Sequence, residues 1–191
     1  MRRPRELVEF ITRDGRQCAL RPPTLGDLDG FTRFANLLAK EKRTNRELGL
    51  LSFDRRLTRE QERKWLGETV RGVAKKEAVS VAAFVDGKVV GHCDVHRRRF
   101  RDDRHSGVFG IAILGGYRGV GIGERMMAEV LARAACIGVQ LVELDVFSIN
   151  RAAIGLYEKM GFAKAGTVPD KILRDGRYYD EDIMFLDLRK R

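Results

Sequence analysis

One stretch limits what this chain can fold into more than any other: Phe109-Gly-Ile-Ala-Ile-Leu-Gly-Gly-Tyr-Arg-Gly-Val-Gly-Ile-Gly123. An apolar strand, Gly107–Leu114, runs into a glycine-rich turn and then into an amphipathic helix from about Gly121 to Cys136. Glycine adopts backbone angles that other residues avoid, so Gly119, Gly121 and Gly123 let the main chain approach a ligand closely. The first amides of a helix have no partner within it, and the helix dipole favours negative charge there. Turn and helix start together make a pyrophosphate site, to which Arg118 would add a charge-assisted contact. The same pattern also serves as a plain tight connection between strand and helix. It lacks the Lys-Ser/Thr pair of a P-loop, and a dinucleotide site would need an acidic residue ending the next strand of a parallel sheet.

A second segment, Asn150-Arg-Ala-Ala-Ile-Gly-Leu-Tyr-Glu-Lys-Met-Gly-Phe162, reads as a capped helix. Asn150 is a good N-cap, Tyr157 lies two turns along the same face, and Gly161 ends the helix before a strand begins at Phe162. Taken alone, Tyr157 also suits an ordinary core position. Around these segments the hydrophobic periods predict a hairpin (Leu7–Thr12, Gln17–Arg21), a helix from Thr24 to Lys40 with Thr24 as N-cap, and a charged loop from Glu41 to Arg56. A capping box at Thr58–Gln61 starts a helix to about Val73. Strands Ala78–Val85 and Lys88–His96 meet at Asp86-Gly87, and Arg97–Ser106 is a charged connection. Gln140–Phe147 is a strand, and a last hairpin joins Ala163–Ile172 to Tyr178–Leu186. The order ββααββ, βαβα, ββ implies an α/β (α+β) fold with a mixed, mostly antiparallel central sheet flanked by helices.

The 191 residues fit one domain with a sizeable core. No apolar run would span a bilayer, and the N-terminus lacks the apolar core of a signal peptide, so a cytoplasmic protein is expected. Three cysteines, Cys18, Cys93 and Cys136, are expected as reduced, buried thiols. His92, Asp94 and His96 share one strand face without a fourth convergent ligand, so no metal site is expected. The net charge of +10 favours acidic partners such as nucleotides or nucleic acid. A nucleic-acid module would also need exposed aromatics beside its basic face, and the single tryptophan, Trp65, sits inside a helix.

Together the two segments resemble the GNAT superfamily of N-acetyltransferases. Arg118-Gly-Val-Gly-Ile-Gly123 matches its (Arg/Gln)-x-x-Gly-x-(Gly/Ala) pyrophosphate motif. Asn150, Ala153, Tyr157, Gly161 and Phe162 match its N-x-x-A-x-x-x-Y-x-x-x-G-F motif. Gly176-Arg-Tyr178-Tyr-Asp180 with Met184 looks like the branch of ribosomal-protein and amino-acid N-acetyltransferases. Val89-Val-Gly-His92 followed by Phe109-Gly-Ile looks like the amino-acid subgroup. The resemblance implies one acetyltransferase domain over residues 1–191 and acetyl-CoA as cosubstrate. The backbone of Ile111, Ala112 and Ile113 would pair with the pantetheine arm and help polarise the acetyl carbonyl. The amides of Gly119, Val120, Gly121, Ile122, Gly123 and Glu124 would hold the pyrophosphate. Asn150 would contact the cofactor near its thiol end, and Tyr157 would protonate the departing thiolate. The chain departs from the family at Leu114-Gly115-Gly116, where a proline is frequent.

The base stays open between two carboxylates. Glu143 and Asp145 alternate on one face of the strand before Asn150, and the ribosomal-protein branch carries a Glu at the place of Asp145. Asp145 would act through a water, or Glu143 would replace it, and a solvated strand carboxylate is the alternative for each. The acceptor is expected to be an α-amine of an amino acid or a protein N-terminus, with a lysine or polyamine as the rival. It would enter between Glu41–Arg56 and the final hairpin. Arg43, Arg46 and the basic run Arg97–Arg104 would hold a substrate carboxylate if they line that side. No membrane partner is expected, a nucleic-acid partner is disfavoured, and a homodimer stays open.

Overall fold

The computed structural model describes residues 7–45, 47–49 and 56–190. The first hairpin forms as β1 (Val8–Ile11) and β2 (Gln17–Arg21). Helices α1 (Leu28–Lys42) and α2 (Arg59–Ala74) follow, then β3 (Ala78–Val85), β4 (Lys88–Arg97) and β5 (Ser106–Ile113). The chain continues through α3 (Ile122–Cys136), β6 (Leu141–Phe147) and α4 (Arg151–Lys159) to β7 (Ala163–Arg174) and β8 (Arg177–Asp187). All eight strands join one sheet in the order β1-β2-β3-β4-β5-β6-β8-β7, and β5 and β6 are its parallel pair.

Strand alternation divides the core between the two sheet faces. On one face α3 buries Ile122, Met126, Met127, Val130 and Leu131 against Val81, Cys93, Val142 and Leu144. On the other, Leu28, Phe31, Phe34 and Leu38 of α1 and Leu66 of α2 pack with Ala82 and Val89. A fully buried side chain of this size contributes about 1.5–3 kcal/mol. The expected capping box opens α2: Thr58 Oγ1 accepts from Gln61 N (3.2 Å), and Gln61 Oε1 accepts from Thr58 N (2.9 Å). Thr24 behaves differently from expectation. It caps a short 3-10 turn, Leu25–Asp27, and α1 proper starts at Leu28 behind Asp27. Asp27 reaches back to Thr24 N (2.8 Å) while Arg21 grips its two oxygens at 2.6 and 2.8 Å, which tightens the first turn.

Cys18 and Cys93 are buried, whereas Cys136, expected inside, is exposed because the last turn of α3 carries it on the solvent side. Burial pushes the Cys18 thiol up to about 11. His92 donates to or accepts from Ser80 Oγ at 2.7 Å, and His96 Nε2 meets Asp94 Oδ2 at 3.1 Å. Among the described residues no group of His, Cys, Asp and Glu is arranged to hold a metal ion, and no helix is long and apolar enough to cross a membrane.

Candidate active site

The glycine turn forms at the C-terminal end of β5. Gly119 and Gly121 sit at φ 75° and 94°, the left-handed region that costs other residues about 1–2 kcal/mol. The first bond closing α3 runs from Arg125 N to Gly121 O, so the amides of Ile122, Gly123 and Glu124 have no partner on the helix. Gly123 is also needed for packing: a Cβ there would come within 3.0 Å of Leu156 and 3.3 Å of Ile113. The tip of the β1–β2 hairpin braces this turn. Arg13 N donates to Val120 O (3.0 Å), Arg16 donates to Gly116 O (2.9 Å), and the Arg16 guanidinium lies 4.3 Å over Tyr117. Glu124 pairs with Arg13 and with Lys159, each at 2.8 Å. Arg16 is paired with Asp14, while Arg13 and Lys159 together outweigh Glu124 and bring net positive charge to the helix start. Sequence reasoning missed them, since only the fold brings residue 13 beside residue 124.

Arg118 points elsewhere than expected. Its guanidinium forms a two-pronged pair with Glu41 (2.6 and 3.1 Å) and donates to Ile113 O at 2.8 Å. Glu41 also accepts from Gly115 N at 3.2 Å. This clamp fastens the end of α1 to the turn, and it leaves Arg118 largely neutralised by its own protein.

Next to the turn the sheet opens. Strands β5 and β6 pair only at Ser106↔Leu141, Gly107↔Val142 and Val108↔Glu143. Beyond that point β6 stays paired with β8 as far as Phe147, β5 stays paired with β4, and the two parallel strands part. Leu114 N bonds Val90 O. By the two-residue alternation of an antiparallel ladder, Ala112 therefore also turns its backbone to β4, while Phe109, Ile111 and Ile113 turn theirs to the gap. Of the three residues expected to meet a pantetheine arm, Ala112 faces away, and the Ile113 carbonyl already accepts from Arg118. Ile111 keeps its N–H and C=O aimed into the gap.

Tyr157 of α4 sits under the opening. Its ring lies edge-on to Phe109 with centroids 6.1 Å apart and 6.0 Å from Phe162. The residue is 7% exposed, and burial alone holds its hydroxyl well above the usual phenol pKa. Among the described residues no hydrogen bond engages that hydroxyl, which suits a proton donor awaiting a ligand. Asn150 caps α4, its Oδ1 accepting from Ala153 N at 3.1 Å.

The opposite sheet face is where the two candidate bases lie. Glu143 is held by Arg98 at 2.8 Å, and Asp145 is exposed two residues further along. The segment after α1 folds over the end of β6: a Cβ on Gly49 would stand 3.4 Å from the Phe147 ring. Arg174 lies 4.6 Å over that ring and donates to Leu48 O at 2.7 Å, while Tyr179 stacks on it at 5.9 Å. Arg43 is exposed, and Arg46 lies outside the described residues. The run Arg97–Arg104 lies at the start of β5, the end away from the glycine turn, and Arg97 there binds Arg104 O at 2.6 Å. Of this run, Arg98 reaches the β6 face, where Glu143 holds it. A groove of about 420 Å³ lined by Glu9, Gln17, Arg21 and Phe84 lies on the β1–β3 side of the sheet, away from Tyr157.

Comparison with known proteins places these features in context. The model of the acetyltransferase (GNAT) family matches residues 39–162. An uncharacterised N-acetyltransferase from the SPbeta prophage of Bacillus subtilis is 34% identical over 121 residues, 62% of this chain and 64% of that protein. An L-amino acid N-acetyltransferase of Escherichia coli is 36% identical over 103 residues, 52% of this chain and 62% of the relative. The matches thus span less than two thirds of either relative's length. The yncA protein from Salmonella typhimurium, solved with its cofactor acetyl-CoA, superposes with a TM-score of 0.76 at 18% identity, covering 91% of this chain and 95% of that one.

Proposed function

The chain belongs to the GNAT acetyltransferase family, and from that premise we propose that it is an acetyl-CoA-dependent N-acetyltransferase acting on the α-amino group of an amino acid or a protein N-terminus. The observation that carries this reading is the parted β5–β6 pair, with unpartnered helix-start amides at one end and the buried Tyr157 beneath it. The amides of Ile122, Gly123 and Glu124, with the Arg13 charge beside them, suit a pyrophosphate. Ile111 offers a main-chain donor and acceptor to an extended amide-bearing arm. Acetyl-CoA, when bound, supplies the activated thioester. The amine nitrogen attacks its carbonyl directly, the carbon–sulfur bond breaks, and Tyr157 gives its proton to the leaving sulfur. No cysteine is placed for an acyl-enzyme: Cys18 and Cys93 are buried with raised pKa values, and Cys136 is on the outer side of α3.

Asp145 takes the amine's proton, through a water, because Glu143 is committed to Arg98. A base of this kind suits an α-amine better than a lysine. Freeing an α-amine of pKa about 7.7–8.0 at pH 7 costs about 1.0–1.4 kcal/mol, against about 4.6 kcal/mol for a lysine. The likeness to an L-amino acid N-acetyltransferase supports the same choice. The test is a peptide with a free N-terminus and an internal lysine, offered with acetyl-CoA beside a panel of free amino acids. Mass spectrometry is expected to find the acetyl group on an α-nitrogen, and predominant lysine modification at neutral pH would refute this reading.

A further inference from the structure

We propose that Glu181 is a second carboxylate of the acceptor site, paired across β6 and β8 with Asp145, and that the two hold the acceptor's ammonium group. The sheet register carries the argument. Asp145 stands opposite Ile183 and Phe147 opposite Glu181, so Asp145 and Glu181 are diagonal neighbours on one face, with β-carbons roughly 7 Å apart. That face is the one away from α3 and α4, on which the segment 47–49 closes over Phe147. An acceptor entering between this segment and the last hairpin meets Glu181 before it meets the gap.

The neighbouring carboxylate shows what a structural role looks like here. Asp182, on the opposite face, accepts from Ser148 (2.7 Å), Thr167 (2.8 Å) and Lys164 (2.8 Å). Burial works against its charge, but those bonds prevail and hold its pKa below the usual value. Glu181 is 7% exposed, and among the described residues no hydrogen bond or ion pair reaches its carboxylate. Burial and then the charge of Asp145 push its pKa up, while Lys171 of β7 pulls the other way. Most of the residue is buried while its carboxylate oxygens keep some contact with solvent, and a carboxylate so placed without a partner is costly to keep charged. An ammonium bound beside it would relieve that cost and the repulsion from Asp145 together. Ammonium binding in turn leaves the amine's proton next to two acceptors: one proton passes to the pair before attack and on to solvent, and the second leaves as the amide forms. The charged groups around Glu181 are Asp145 on β6 and Lys171 and Arg174 on β7.

The inference takes the identity of its ligand from the acyl-transfer reading, so its test uses binding rather than turnover. Alaninamide, an α-ammonium without a carboxylate, is titrated calorimetrically into the CoA-saturated chain. Glu181→Gln is expected to weaken alaninamide at least about 10-fold while leaving CoA affinity within about twofold, and Asp145→Asn is expected to weaken it less, since Asp145 is solvated. In the wild type, affinity is expected to rise with pH as Glu181 ionises; in Glu181→Gln that rise is expected to vanish. Equal affinity in wild type and Glu181→Gln, or no alaninamide binding to the wild type, overturns the proposal. Acetylation of alaninamide, followed separately, judges the transfer reading: a bound but unacetylated amine would count against that reading and leave the carboxylate pair standing.

Discussion

The two sides of the β5–β6 gap are built on opposite electrostatic plans. On the cofactor side the carboxylate is paired: Glu124 lies between Arg13 and Lys159. On the sheet face away from α3, two largely buried carboxylates have no hydrogen bond or ion pair among the described residues: Glu62 of α2 is 4% exposed and Glu181 of β8 is 7% exposed, and burial raises the pKa of both. The proposed cofactor side thus offers cations and bare amides to an anion, and the proposed acceptor side offers carboxylates to a cation. One clamp ties the halves together, since Glu41 at the end of α1 holds both Arg118 and Gly115 of the turn. The contrast teaches that the positive net charge need not imply a macromolecular partner: part of it stands at the proposed phosphate site, and the opposite face carries carboxylates without an ion pair.

The division is open to attack one side at a time. The largest effect belongs to the gap itself. Tyr157→Phe is expected to lower kcat by about 10²–10⁴-fold, typical of a lost general acid, with CoA affinity little changed. Equal kcat in a steady-state assay would leave Tyr157 only its packing on Phe109. Next, Gly121→Glu sets a side chain on a φ of 94° and a negative charge at the proposed phosphate site. At about 1–2 kcal/mol for the backbone alone, CoA binding is expected to weaken by at least about 10-fold in calorimetry, while alaninamide affinity stays close to wild type. A loss on both sides would show that the halves are not separable.

The smallest expected effect is on stability. Burial pushes the Glu62 carboxyl up to about 7. A raised carboxyl pKa means that the folded chain keeps a proton the unfolded chain has released. Stability from this group is therefore full below about pH 4.5 and lost as pH rises through about 7. Glu62→Gln is expected to be stabilising at pH 8 by about 1–2 kcal/mol, allowing for solvent near the carboxylate, a melting rise of about 2–8 °C. The gain should shrink towards pH 5. A melting difference that does not change with pH would mean Glu62 is charged and solvated, and the contrast between the two sides would then rest on Glu181 alone.

Legibility in the sequence followed the same line. The strand, turn and helix of the cofactor side are contiguous, so Gly119, Gly121 and the α3 start were readable from spacing, and so was the capped helix that carries Tyr157. Their supports were not, because Arg13 meets Glu124 across 111 residues and Arg118 meets Glu41 across 77. The acceptor side is almost wholly non-local. Gly49, Phe147, Arg174 and Glu181 come together only through the β6–β8–β7 order, which no local period encodes. Alternation did place Glu143 and Asp145 on one face, yet it could not show that Arg98 occupies Glu143. The parting of β5 and β6 was equally hidden, since both strands read as regular.

The cofactor cradle is the claim on which the rest depends, and backbone amide NMR addresses it directly. On titration of CoA into the labelled chain, the largest shift changes are expected at Ile111 and at Gly119 to Glu124, with lesser ones at Arg13 and Gly15 of the hairpin tip and little change at Glu181. Changes centred instead on the groove of Glu9, Gln17, Arg21 and Phe84, with Gly121 and Gly123 unmoved, would contradict it.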